Sequence, residues 1–183
     1  MNCHLRNKPR LLRRIAGAAL LVLAANAQAF DLNSDRPIKV SADQARLDDA
    51  KGTAIYTGDV VVRQDGTELT ADKVVLYREN GVLNRIEAYG KPAHYVQPQT
   101  ADTAKTDAEA MTIIYAAGDN RITFIDKAVI HQAGNIFKGE EINYDTATRV
   151  VTASGSRDGS NQDGRVEMVI QPRQKASSGE TGD

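Results

Sequence analysis

Four carboxylates, Asp59, Asp65, Glu68 and Asp72, are threaded through YTGDVVVRQDGTELTADKVVLY at residues 56–77. Paired carboxylates can hydrolyse glycosides, one protonating the leaving group while the other attacks or activates water across a set separation. Asp48 with Asp49 and Glu140 with Glu141 offer further pairs. Adjacent residues of a strand face opposite sides of a sheet, however, so such a pair does not converge on one substrate. Beyond residue 29 the histidines are His94 and His131, and the chain carries no HExxH, GxSxG, Walker loop or GxGxxG. The stretch SRDGSNQDG (156–164) holds Asp158, Asn161 and Asp163 but lacks the register and closing glutamate of a calcium loop, and reads as a mobile loop. No catalytic residue, metal site or cofactor is therefore expected, and the chain is read as a non-enzyme.

The elements that carry these acids are strands. Apolar and polar residues alternate almost throughout, the mark of sheet with one dry and one wet face. The segments are PIKVSA, QARLDD, TAIYTG, DVVVRQ, TELTAD, KVVLYR, LNRIEAYG and AHYVQ, then MTIIYA, NRITFID, KAVIHQ, NIFKGEEINYD, TRVVTASG and RVEMVIQP. DAKG, QDG, RENG and GKP punctuate them, with glycine supplying positive φ and proline fixing φ. The spacing suits an all-β sandwich, barrel or solenoid.

A shift of 68 positions lays Tyr56 on Phe124, Val62 on Ile130, Gln64 on Gln132, Gly66 on Gly134, Leu69 on Phe137, Asp72 on Glu140 and Val74 on Ile142. Two copies of one supersecondary unit are expected. Asp59, Asp65 and Glu68 fall on Lys127, Ala133 and Ile136, so their charge does not repeat; Asp72 alone keeps an acidic counterpart. By parity Tyr56, Val60 and Val62 share one face, while Asp59, Val61 and Arg63 share the other.

Residues 1–29 read as a cleaved secretory leader: a basic start, MNCHLRNKPRLLRR, the apolar run IAGAALLVLAA, and AQA before Phe30. Its removal takes away Cys3 and five basic residues, leaving 154 residues with 18 basic against 24 acidic. That acidic balance, with scattered lysines and no tryptophan, argues against nucleic acid as a partner. Residues 30–172 are read as a single domain and 173–183 as a disordered polar tail.

The repeated dry face carries Val40, Tyr56, Val60, Val62, Leu69, Phe124 and Phe137, a set skewed to medium-sized side chains. Such a face can fill a core, or it can line a slot suited to acyl chains. The outermost strands, with Ile38, Lys39 and Val40 at one end and Val166, Met168 and Ile170 at the other, offer two different edges. Uncapped edges invite strand addition, and unlike edges permit head-to-tail growth.

RPIKVSADQARLDD, AIYTGDVVVRQDGTELTADKVVLY, IEAYGKPAHY and NIFKGEEINYD together resemble the OstA-like family of envelope lipopolysaccharide-transport proteins, over residues 34–172. The resemblance implies a single twisted, open-ended antiparallel β-jellyroll with an apolar interior groove and two internal repeats. It further implies a periplasmic, lipopolysaccharide-binding bridge between inner and outer membranes. The N-terminal edge would meet the periplasmic domain of the inner-membrane protein LptC, the C-terminal edge the N-terminal domain of the outer-membrane protein LptD, and copies would join head to tail. The family's lipid-contacting positions fall on Ser34, Ile38, Tyr95, Ile113 and Tyr115. The alternative is a structural scaffold that links such partners without carrying lipid.

Overall fold

The computed structural model describes Phe30, Leu32 and residues 36–101, 103–156 and 164–172. Ser34, the leader, the tail and the three candidate calcium ligands lie outside the described residues. The strands are β1 (Lys39–Ser41), β2 (Gln44–Asp48), β3 (Thr53–Gln64), β4 (Thr67–Glu79), β5 (Val82–Gln97), β6 (Thr106–Ala116), β7 (Arg121–Gln132), β8 (Asn135–Asp145), β9 (Val150–Ser154) and β10 (Glu167–Val169). They form one antiparallel sheet in the order β1-β3-β4-β5-β6-β7-β8-β10, with β2 beside β1 on β3 and β9 beside β10 on β8. The sheet is open, because β1 and β10 stand at opposite ends of that order.

Three hairpins are closed by two-residue loops with both φ positive: Asp65–Gly66, Asn80–Gly81 and Ala133–Gly134. That geometry matches the twist of the flanking strands, which is why DG and NG occupy two of the loops. The segments read as separate strands, TAIYTG and DVVVRQ, TELTAD and KVVLYR, LNRIEAYG and AHYVQ, NRITFID and KAVIHQ, are single long strands interrupted by bulges. The pairing register shifts between Thr57 and Val60 on β3, Thr70 and Lys73 on β4, Tyr89 and Ala93 on β5, Glu109 and Thr112 on β6, and Ile125 and Ala128 on β7. The extra residues lie on β3, β5 and β7; bulges bend strands, and register shifts in line across five strand pairs crease the whole sheet.

Ring contacts show how sharply it folds. Tyr95 sits two strands from Ile130, which is six residues along β7 from Phe124. In a flat sheet that path amounts to about 22 Å, yet the ring centroids of Tyr95 and Phe124 are 6.1 Å apart. The crease therefore turns the strand halves into two facing arms. One arm holds residues such as Val74, Ile86, Ile113, Tyr115, Phe124 and Ile142, the other Val60, Val62, Leu69, Tyr95 and Ile130, all buried. Strands β2 and β9 extend the first arm at its two ends; β1 and β10 extend the second.

The repeat is written most plainly in the backbone. Thirteen described residues have positive φ, and twelve of them form six pairs 68 positions apart: 52/120, 58/126, 59/127, 65/133, 66/134 and 81/149. Gly58–Asp59 and Asp126–Lys127 are the same bulge made from different residues. Asp72 and Glu140 are each the one unpaired residue opposite that bulge, on β4 and β8. Their recurrence thus has a positional reason, and nothing in the structure requires the charge, since both are exposed.

Candidate functional site

The candidate catalytic acids are dispersed on the outside. Asp59 is exposed at the bulge, Asp65 lies in a turn and pairs with Arg36 at 2.9 Å, and Glu68 pairs with Arg63 at 2.7 Å. Asp48 accepts from the Lys51 backbone N–H, Asp49 pairs with Arg78 at 2.6 Å, and Glu141 accepts from Asn143. These are turn and surface roles. Among the described residues no group of three or more His, Cys, Asp and Glu side chains is placed to hold a metal ion.

His94 and His131 point outward. His94 Nε2 lies 2.7 Å from Asp107, which also pairs with Lys105 at 2.9 Å; His131 is opposite Asp107 in the ladder and exposed. The His94 hydrogen bond, with help from Lys105, holds the Asp107 carboxyl below its usual range. Glu87, 8% exposed, is the buried carboxylate of the outer face. Burial pushes it up, but the hydroxyls of Tyr89 and Tyr77 donate to it at 2.7 and 2.8 Å and Arg85 pairs with it, and together they hold it below its ordinary value. In return the Tyr89 hydroxyl is pushed up to about 12. Asp107 and Glu87 are thus each engaged by neighbouring side chains on the outer face.

The interior is the other candidate. Val60, Val62, Leu69, Tyr95, Ile113, Tyr115 and Phe124 all point into it, at no more than 5% exposure, while Ile38, Val40, Tyr56 and Phe137 pack half-buried against its margin. Every described lipid candidate thus lies on one continuous apolar surface. Tyr95 is the bulkiest of the fully buried side chains, and burial pushes its hydroxyl far above the usual phenol range. The groove is not empty. Its two walls meet each other, and Phe30 and Leu32, at 2% and 7% exposure, are packed between them.

Two features escaped the sequence reading. Phe30 and Leu32 continue the period-2 pattern upstream of RPIKVSA, a signal hidden by their place beside the leader. Gln64, Thr67, Gln97 and Thr106 form a buried polar row where the strands of the second arm end. Gln132 joins it by donating to Thr106 Oγ1 at 2.8 Å. The row bounds the apolar surface along one rim, and the Gln64/Gln132 match was its visible trace.

The terminal strands occupy the two ends of the sheet. Lys39 is exposed on β1, and at the far end Val166, Met168, Val169 and Ile170 are exposed around β10, at 38–64%. The outer side of each is unpaired within the described chain.

Residues 39–150 match the family described as LptA/(LptD N-terminal domain) LPS transport protein. The chain is 45% identical over 157 residues to the lipopolysaccharide export system protein LptH of Pseudomonas aeruginosa, covering 82% of this chain and 89% of that protein. The chain belongs to this family. It is also 30% identical over 176 residues to the export protein LptA of Escherichia coli K12, covering 93% of this chain and 91% of that one. The crystal structure of P. aeruginosa LptH, described as the LptA-homologous periplasmic component of the lipopolysaccharide transport device, superposes with a TM-score of 0.69 at 41% identity. The superposition covers 78% of this chain and 99% of that one. The family membership and the structural likeness agree with the OstA-like jellyroll expected from the motifs.

Proposed function

We propose that this protein is a periplasmic, non-enzymatic bridge for lipopolysaccharide, with the lipid's acyl chains travelling between the two arms. The observation that carries the reading is the single apolar surface that runs through both repeats, from Val62 and Leu69 by Tyr95 to Phe124 and Ile130. Relatives named for lipopolysaccharide export, at 30–45% identity over most of the chain, supply the cargo. Burying an acyl methylene is worth about 0.8 kcal/mol, so a chain of a dozen would resist crossing water by roughly 10 kcal/mol. A continuous apolar lining removes that barrier without any catalytic step.

The edges give the bridge its length. On this reading β1, with Ile38, Lys39 and Val40, receives a strand from the LptC periplasmic domain. The β10 edge, with Val166, Met168 and Ile170, meets the LptD N-terminal domain, and the same two edges join copies of the chain. Export and removal of residues 1–29 precede assembly.

The closed interior is also what a scaffold that carries no lipid would show, so the test must separate the two. A photo-reactive residue at Ile113 or Tyr95 is expected to capture lipopolysaccharide in cells, and one at Arg63 is not. Capture from Arg63 without capture from either interior site contradicts the conduit and favours the scaffold.

A further inference from the structure

The interior assigned to acyl chains already has a tenant. The Phe30 ring lies 6.1 Å from the ring of Tyr95 and 6.5 Å from that of Tyr115, tilted by 52° and 54°. Those two tyrosines stand on opposite arms, so Phe30 is wedged between the walls. Leu32 is buried in the same cluster. Neither residue belongs to a strand.

Arg36 contacts the rim of the second arm. Gln64 Nε2 donates to the Arg36 carbonyl at 3.2 Å, and Arg36 Nη1 pairs with Asp65 at 2.9 Å through side chains 66% and 40% exposed. An exposed pair of that kind contributes little to stability. The side chains of Phe30 and Leu32 are hydrocarbon, as an acyl chain is.

We propose that Phe30 and Leu32 form a displaceable plug, which fills the interior when no lipid is present and swings out when acyl chains enter between Tyr95 and Tyr115. The inference rests on the conduit reading. A lipid-free groove would otherwise expose a long apolar surface to water, with the risk of aggregation. Exchanging one apolar occupant for another keeps the net free energy of loading small, since the walls are desolvated before and after. Cargo is then neither refused nor trapped, as a relay requires.

The chain has three phenylalanines, Phe30, Phe124 and Phe137. Uniform labelling with fluorophenylalanine therefore gives a three-line fluorine NMR spectrum, in which Phe30→Leu identifies the plug's line. Titration of the exported protein with purified lipopolysaccharide is expected to move the Phe30 line to its solvent-exposed position while Phe124 shifts but stays buried. Lipid captured by a photo-reactive residue at Ile113 while the Phe30 line stays buried overturns the plug and leaves the conduit intact. Absence of both capture and line changes overturns the conduit, and the plug with it. As a second readout, Phe30→Ala with Leu32→Ala should speed lipid capture about tenfold, the factor expected where the open state is a minor one in the intact chain. Unchanged or slower capture by the folded double variant contradicts the proposal.

Discussion

The first repeat and the second share a backbone and differ in chemistry. At the crease the first uses Gly58–Asp59 and the second Asp126–Lys127, with φ of 81° and 41° against 65° and 55°. At the hairpin tip Asp65–Gly66 answers Ala133–Gly134, with φ of 50° and 85° against 52° and 80°. The interior is conserved in kind, Val62 for Ile130, Leu69 for Phe137 and Val74 for Ile142, while the outward charges are exchanged freely. What recurs in this fold is the bend and the dry face, and the acids are the interchangeable part.

The repeats also differ in position. Phe124, in a strand flanked on both sides by full-length neighbours, is fully buried, whereas its counterpart Tyr56 lies next to the short terminal strands and is half-buried. Phe124→Ala should therefore lower unfolding stability by about 3–5 kcal/mol. Tyr56→Ala should cost about half of that, because less apolar area leaves water at its site. Equal costs in urea denaturation would mean that the two repeats are packed alike in solution.

The crease offers a second break. A Cβ at Gly58 would run into the side chain of Asp43, whose N–H donates to the Gly58 carbonyl at 3.0 Å where β1 passes into β2. Gly58→Asp is expected to cost about 1–3 kcal/mol even though aspartate occupies the matching site of the second repeat. The reverse change, Asp126→Gly, should cost under about 1 kcal/mol, since glycine favours the positive φ already there. Thermal unfolding of the two variants reads the asymmetry directly.

The edges differ less in stability than in assembly. Met168→Pro removes a donor from β10 and bends it, so head-to-tail species should vanish from light scattering while the monomer stays folded. Unchanged assembly means that growth does not use this edge. The smallest effect is expected from Asp59→Lys, within about 0.5 kcal/mol of the parent, because Lys127 holds the same bulge position in the second copy.

Much of this was legible in the sequence because strand alternation and a repeat of 68 residues leave a periodic trace. The inward parity of Val60, Val62, Leu69 and Phe124 followed from it, as did the outward parity of Arg63. The length of the strands did not. Gly58–Asp59, Gly90–Lys91–Pro92 and Asp126–Lys127 have the residue types of turns, and a bulge uses those types for the same reason, a backbone bend. At Gly90 a Cβ would come within 2.5 Å of the Ala93 nitrogen, so glycine there serves close approach within a continuing strand. The first half of β6 was hidden because its buried residues, Thr106, Ala108 and Ala110, are small and give little hydrophobic alternation. The occupancy of the groove by Phe30 and Leu32 depends on contacts across the crease, which no local pattern encodes.

The central claim is that the dry faces of both repeats form one track. Photo-reactive residues placed at the matched interior pair Val62 and Ile130, and at the matched outer pair Arg63 and His131, test it in a single experiment. The account predicts lipopolysaccharide captured from Val62 and Ile130 alike and from neither outer position. Capture confined to one repeat, or equal from inner and outer faces, would contradict it.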